Sequence, residues 1–185
     1  MNATTDHGQR KVAFLRGINV GKSARIAMAD LRECTEAAGC TDVKTVLATG
    51  NVVLTDPHPA AELRAVLEAA YADRFGYDAV VQVLTRDAVE DAVAAYPFAT
   101  LDDHHDYLIF CDDPDVTVTV AEAMRAALAP DGTEAVEAGR GCIYWRVPRG
   151  STLTSPAAKA TGDRSHEKHL TTRNIKTLHK VLALG

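Results

Sequence analysis

The order of its first elements is what most constrains this chain. A β-rich run, Lys11 to Arg16, leads through a glycine-containing loop to a helical stripe of Met28, Leu31, Cys34 and Thr35, which Gly39 stops. Val43 to Leu47 and Asn51 to Leu54 then read as strands joined through Ala48-Thr49-Gly50, where a positive φ costs glycine little. Pro59 stands near the start of a second helix with Leu63, Val66, Leu67, Ala70 and Tyr71 on one face and Phe75-Gly76 at its end. Ala79 to Leu84 is a further strand. The sum is β-α-β-β-α-β, the split βαβ arrangement, which predicts a four-stranded antiparallel sheet with two helices on one face.

Beyond it the pattern continues less regularly. Thr85 is placed to cap a helix from Arg86 to Ala95, and Tyr107 to Cys111 reads as a strand. The turn Asp112-Asp113-Pro114-Asp115 is read as acidic and solvated. Val120 to Leu128 reads as a helix, and Thr133 to Ala138 with Cys142 to Val147 as a hairpin around Gly139-Arg140-Gly141. After the segment Pro148 to His169, Thr171 or Thr172 is expected to cap a last helix at about 171–184, with Ile175, Leu178, Val181 and Leu182 on its apolar face. The expected fold is α+β, as two ferredoxin-like (α/β-plait) subdomains plus a C-terminal helix. The expected division is a disordered lead-in over 1–10, an N-terminal subdomain over 11–85 and a C-terminal one over 86–185.

Composition narrows the function classes. Of 185 residues, 46% are hydrophobic and 24% charged, as in ordinary soluble domains. No apolar run reaches the roughly 20 residues of a membrane span, and the N-terminus lacks the apolar region of a signal peptide. Four scattered cysteines without a C-x-x-C pair read as free thiols in a reducing cytoplasm. The histidines, including the pairs His104-His105 and His166/His169, read as solvent-exposed and not metal-binding, since no Cys or carboxylate partners stand at ligand spacing. No metal or cofactor is expected. Aromatic residues at 5% are too few for base stacking on a sheet, and Phe14 reads as core.

Charge is the remaining signal. The net charge is −5, yet Arg10, Lys11, Arg16, Lys22 and Arg25 follow one another without an acid. From Arg140 to Lys180 nine cations face only Asp163 and Glu167. Both basic segments contain glycine- or Asn-rich loops, the kind that presents donors to an anion. G-I-N-V-G-K-S is not a phosphate loop of the G-x-x-x-x-G-K-[ST] type, because the first glycine falls at Arg16. The same residue types still suit phosphate or carboxylate. The start of the last helix, with Arg173 and Asn174 in its first turn, adds a positive dipole end. The candidate ligand residues are therefore Arg16, Gly17, Asn19, Lys22, Gly50, Asn51, Thr172, Arg173 and Asn174, converging on one site for an anionic small molecule or a nucleic-acid backbone. An enzyme on a small phosphorylated or acidic metabolite is the alternative, with His166, His169 or Asp30 as acid or base. A docking module without a pocket is a third. No catalytic residue is assigned.

Three segments carry a family resemblance: V-A-F-L-R-G-I-N-V-G-K at Val12 to Lys22 followed by M-A-D-L-R at Met28 to Arg32, T-G-N-V-V-L at Thr49 to Leu54, and T-T-R-N-I-K-T-L-H-K-V-L-A-L at Thr171 to Leu184. In these the chain resembles the bacterial family known as domain of unknown function 1697. It departs at Lys22, Thr49 and Ile175, where the family commonly has Gly, Ser and Trp. The resemblance implies an α/β-plait architecture in two subdomains and no established activity.

Overall fold

Strand β1, Gln9–Arg16, is apolar on both faces: Val12 and Phe14 are as fully buried as Ala13 and Leu15. In the computed structural model, which describes residues 8–19, 25–76, 78–130, 132–163 and 165–184, β1 lies inside a sheet ordered β2-β3-β1-β4. Here β2 is Thr41–Val46, β3 Asn51–Asp56 and β4 Val80–Thr85, and all three pairings are antiparallel. The strand reaches back to Gln9, so the expected lead-in ends earlier than residue 10; residues 1–7 lie outside the described ones.

Helices α1 (Met28–Ala37) and α2 (Ala60–Phe75) share a core with Ala13, Leu15, Val52, Leu54 and Val81, on one face of that sheet. Leu31, Leu63 and Leu67 are almost wholly buried there. Each such side chain stabilises the fold by about 1.5–3 kcal/mol. The Tyr71 hydroxyl, also buried, lies 2.7 Å from Thr35 Oγ1, which itself donates to the Leu31 carbonyl at 2.7 Å. Burial drives the Tyr71 pKa well above its ordinary value. Val66, expected on the core face, is 47% exposed, because the inward stripe of α2 runs Leu63, Leu67, Tyr71 at strict four-residue spacing.

The second half repeats this plan. Its sheet is ordered β6-β7-β5-β8, again with every pairing antiparallel, where β5 is His104–Cys111, β6 Ala135–Gly139, β7 Cys142–Pro148 and β8 Leu170–Asn174. Helices α4 (Pro114–Ala126) and α5 (Pro156–Ala160) pack with Ile109, Val136, Ile143, Trp145 and Leu170 in one core. Position for position, β5-α4-β6-β7-α5-β8 follows β1-α1-β2-β3-α2-β4.

Three expectations are corrected here. The acidic turn is the start of a helix: Asp113 Oδ1 accepts from the backbone N–H of Asp115 (2.9 Å) and Val116 (3.2 Å), with Pro114 in the first turn. Residues 170–174 are strand β8 and not a helix start, because their backbone completes the ladder with β5. His104 is buried, with Nδ1 2.6 Å from Asp103 Oδ1 and Nε2 2.7 Å from Thr133 Oγ1.

By contacts the chain forms two units, Met1–Val89 with His179–Gly185, and Glu90–Leu178. Helices α3 (Arg86–Ala94) and α6 (Ile175–Leu182) each run from one unit into the other. Thr85 Oγ1 accepts from the Ala88 N–H at 3.1 Å and so caps α3. A division in chain order at residue 85 leaves out the return of the last residues to the first unit.

Candidate functional site

In the first unit the candidate loop begins where β1 ends. Gly17 is exposed at φ 68° and Asn19 sits at φ 56°, the left-handed region that Asn tolerates better than most residues. The Asn19 amide is engaged with backbone. Its Nδ2 donates to the carbonyls of Ile26 and Ala48, both at 3.0 Å, and its Oδ1 accepts from the Ile26 N–H at 2.7 Å. Asn51 is fully buried and donates to the Val46 carbonyl (2.8 Å) and to Thr49 Oγ1 (3.0 Å). Asn19 links the end of β1 to the hairpin of β2 and β3, and Asn51 braces the hairpin's own turn.

Gly50, at φ 73°, is a close-approach position, and what approaches is the protein itself. A Cβ there would stand 2.5 Å from Ile18 Cγ2 and 2.8 Å from Leu15 Cβ, while the Gly50 carbonyl accepts from the Leu15 N–H at 2.8 Å. Arg16 is half-buried and takes part in polar contacts. Lys22, with the rest of 20–24, lies outside the described residues.

In the second unit, Thr172 and Arg173 belong to β8, opposite Ile109 and Leu108 of β5. Arg173 therefore does not sit in the first turn of α6, and Nη1 donates to the Thr172 carbonyl at 2.9 Å. Neither threonine caps the helix. Thr172 is exposed, and the buried Thr171 hydroxyl has no hydrogen-bond partner among the described residues. Asn174 does that work, its Oδ1 accepting from the Lys176 N–H at 2.9 Å.

Beside this helix start lies a cavity of about 40 Å³, within the second unit, whose lining includes His104, His105, Asp106, Arg149, Asn174 and Lys176. Strand β5 supplies the first three because it runs further toward its N-terminus than its apolar run suggested. Arg149 is held by its backbone, the N–H donating to the Asp103 carbonyl at 2.8 Å, and its Nε approaches the His104 carbonyl at 3.5 Å. Asp106 is 7% exposed and accepts from the Tyr96 hydroxyl at 2.5 Å. Burial, then this hydrogen bond, push the Tyr96 pKa far up, so the phenol stays a donor. The hydrogen bond from His104 holds the Asp103 carboxyl below its ordinary range.

Asp106, Arg149 and Tyr96 were not among the residues singled out. One signal was present: Asp106 stands two and four residues before Leu108 and Phe110, so a carboxylate occupies a position of the same inward-facing row.

The acid–base candidates do not gather. His169 Nδ1 lies 2.7 Å from Asp112 Oδ1, a link between the ends of β8 and β5, and Asp30 sits in the first turn of α1. His166 lines a separate open cavity of about 380 Å³ between α4 and α5 with Lys159 and Asp163. The Asp163 carboxyl is held low by hydrogen bonds from Ser165. Several cations are engaged with carbonyls: Arg10 donates to those of Asp42 (3.0 Å) and Leu184 (3.2 Å), and Arg146 to those of Ala99 and Thr133, both at 3.2 Å. Among the described residues no His, Cys, Asp and Glu cluster of metal-binding kind occurs, and no helix is long and apolar enough to cross a membrane.

These features define an α+β protein of two four-stranded antiparallel sheets with helices, whose second unit holds a small charged cavity. The chain belongs to the family described as "Protein of unknown function (DUF1697)", whose pattern matches residues 9–144. It is similar over 95% of its length, and over 98% of the other chain, to the structure of the conserved bacterial protein SP0830 from Streptococcus pneumoniae, with a TM-score of 0.75 and 24% identity. That likeness speaks for the fold. No curated protein matches the chain significantly.

Proposed function

We propose that this protein binds a small anionic ligand, phosphate-bearing or otherwise acidic, at the start of α6 in the second unit. The cavity beside Asn174 and Lys176 carries the reading. It brings Arg149, Lys176 and two histidines to a helix N-terminus, where backbone N–H groups and the helix dipole already favour negative charge. Thr172 and Arg173 enter through β8, the strand that delivers the chain to this helix. Arg16, Gly17 and Lys22 stand as the first unit's own candidate. Asn19, Gly50 and Asn51 support it by shaping the loop, since their polar groups are engaged within the protein.

Both units fit the α/β-plait (ferredoxin-like) reading, supported by the shared strand order β4-β1-β3-β2 and β8-β5-β7-β6. Four buried cysteines without a disulfide support a reducing, cytoplasmic setting in a bacterial cell.

Thermal shift of the full chain against inorganic phosphate, small carboxylates, nucleotides and short oligonucleotides tests the proposal. A ligand at 100 times its Kd adds about 2.7 kcal/mol and raises Tm visibly. The expected result is a shift with at least one anion, removed by Arg149→Ala with Lys176→Ala; Arg16→Ala tests the first unit's segment separately. Backbone-led nucleic-acid binding would fade steeply with salt, whereas an enclosed anion site would not. No shift with any anion overturns the reading.

A further inference from the structure

Resting on the reading of this cavity as the binding site, we infer that its ligand is a small zwitterion: an oxyanion joined through a few atoms to an ammonium group. The observation that selects it is Asp106. The side chain is more than nine-tenths buried and lines the cavity, and among the described residues its carboxylate has one hydrogen-bond partner, the Tyr96 hydroxyl on Oδ1 at 2.5 Å. The other oxygen is not sealed from solvent, and a charged N–H donor is the partner that suits a carboxylate there best.

Charge sorts the candidates further. The lining holds Asp102 and Asp106 against Arg149 and Lys176, an equal number of each sign. A phosphate dianion in this cavity would meet these carboxylates as well as the cations, and like charge disfavours it. A dipolar ligand meets both signs with the right end.

Spacing agrees. His104 and Asp106 lie on the same face of β5, and Arg149 Nε approaches the His104 carbonyl at 3.5 Å. A strand rises about 3.4 Å per residue, which sets those two positions about 7 Å apart. An amino acid with one or two carbons between nitrogen and carboxylate spans that distance with a hydrogen bond at each end. Size agrees as well, since about 40 Å³ holds a few heavy atoms and no nucleobase. The ligand class is therefore a small amino acid or an aminophosphonate of similar length.

The test uses the full chain, isotope-labelled, with glycine and β-alanine as zwitterions, acetate and inorganic phosphate as plain anions, and methylammonium as a plain cation. Amide shifts at Asn174 to Thr177 report the site, and titration gives each Kd. The zwitterions are expected to bind at least tenfold more tightly than acetate, phosphate or methylammonium, with a tenfold or greater loss in both Asp106→Asn and Lys176→Ala. Lys176 is exposed, so its variant stays informative should Asp106→Asn fail to fold. If acetate or phosphate binds as tightly as glycine, or Asp106→Asn strengthens anion binding, the zwitterion inference falls while the anion reading stands. If methylammonium alone binds, or no probe moves these amides, both fall.

Discussion

The Asn19 side chain grips Ile26 from both sides of its amide: Nδ2 donates to the Ile26 carbonyl at 3.0 Å and Oδ1 accepts from the Ile26 N–H at 2.7 Å. A third bond, from Nδ2 to the Ala48 carbonyl at 3.0 Å, fastens Asn19 to the hairpin of β2 and β3. The Asn19 side chain thus stands in for a backbone partner of Ile26 and Ala48.

Replacing Asn19 by Gly keeps the left-handed backbone and deletes three hydrogen bonds. Net losses of about 1 kcal/mol per bond predict a destabilisation of about 2–3 kcal/mol in urea denaturation. Asn19→Ala is expected to cost more, because it adds a Cβ at φ 56° without returning a bond. Equal stability of wild type and Asn19→Gly would show that these three bonds contribute nothing net.

Gly50→Ala is expected to be among the most damaging single changes in the first unit. The new Cβ would meet Ile18 Cγ2 at 2.5 Å and Leu15 Cβ at 2.8 Å, on a backbone at φ 73°. Overpacking costs about 1–3 kcal/mol, and the left-handed conformation adds about 1–2 kcal/mol. Gly39→Ala is the control, with φ 102° and no atom within 4 Å, so only the backbone penalty applies. Matched denaturation curves that place the two variants together would contradict the packing argument.

Thiol titration makes stability fall at high pH. Burial, then the nearby Asp56 carboxylate, push the Cys40 thiol up to about 11, and burial also raises those of Cys34, Cys111 and Cys142. The unfolded chain then releases these protons at lower pH than the folded one. The stabilisation is present in full below the unfolded value near 9 and is lost as pH rises through the folded value near 11. Chemical denaturation between pH 8 and 11 should show this slope, reduced in Cys40→Ala. The native thiols should also react slowly with a thiol reagent at pH 8 and rapidly once unfolded.

Within the first unit, the end of α6 and the residues just past it are held by cations. Arg86 Nη2 donates to the Leu182 carbonyl at 3.1 Å, while Arg10 Nη2 and Lys44 Nζ both donate to that of Leu184 at 3.2 Å. These carbonyls have no successors in the helix, and the helix dipole is negative there, so cations are favoured twice over. Arg86→Ala and Arg10→Ala are each expected to cost about 1–2 kcal/mol. Amide exchange across Val181 to Leu184 should rise most in the double variant. Unchanged exchange would show the clamp to be incidental.

Much of the fold was legible from local patterns. Leu31, Cys34 and Thr35, and Leu63, Leu67 and Tyr71, recur at helical spacing and are the residues that α1 and α2 bury. Thr85 announced its cap, and Gly139-Arg140-Gly141 its hairpin turn. What local pattern could not show was β8. Leu-Thr-Thr-Arg-Asn has one apolar residue and no alternation, and it is a strand because the edge of β5 offers it partners. For the same reason the caps of the last helix were misassigned to threonines that a strand had claimed.

The candidate site divides along the same line. Residue type and charge along the chain marked the loop after β1 and the approach to α6 as candidate places for an anion. Whether a polar side chain there faces a ligand or the protein is decided by which backbone groups the fold brings within 3 Å, and sequence spacing carries no record of that. Tertiary structure engaged Asn19 and Asn51, filled the space beside Gly50, buried His104, and set Asp106 with Arg149 around one cavity. The sequence by itself determined most of the segments that fold as helices and strands, β8 excepted, because periodicity and caps are local. Their polar partners are long-range, and only the folded chain could choose them.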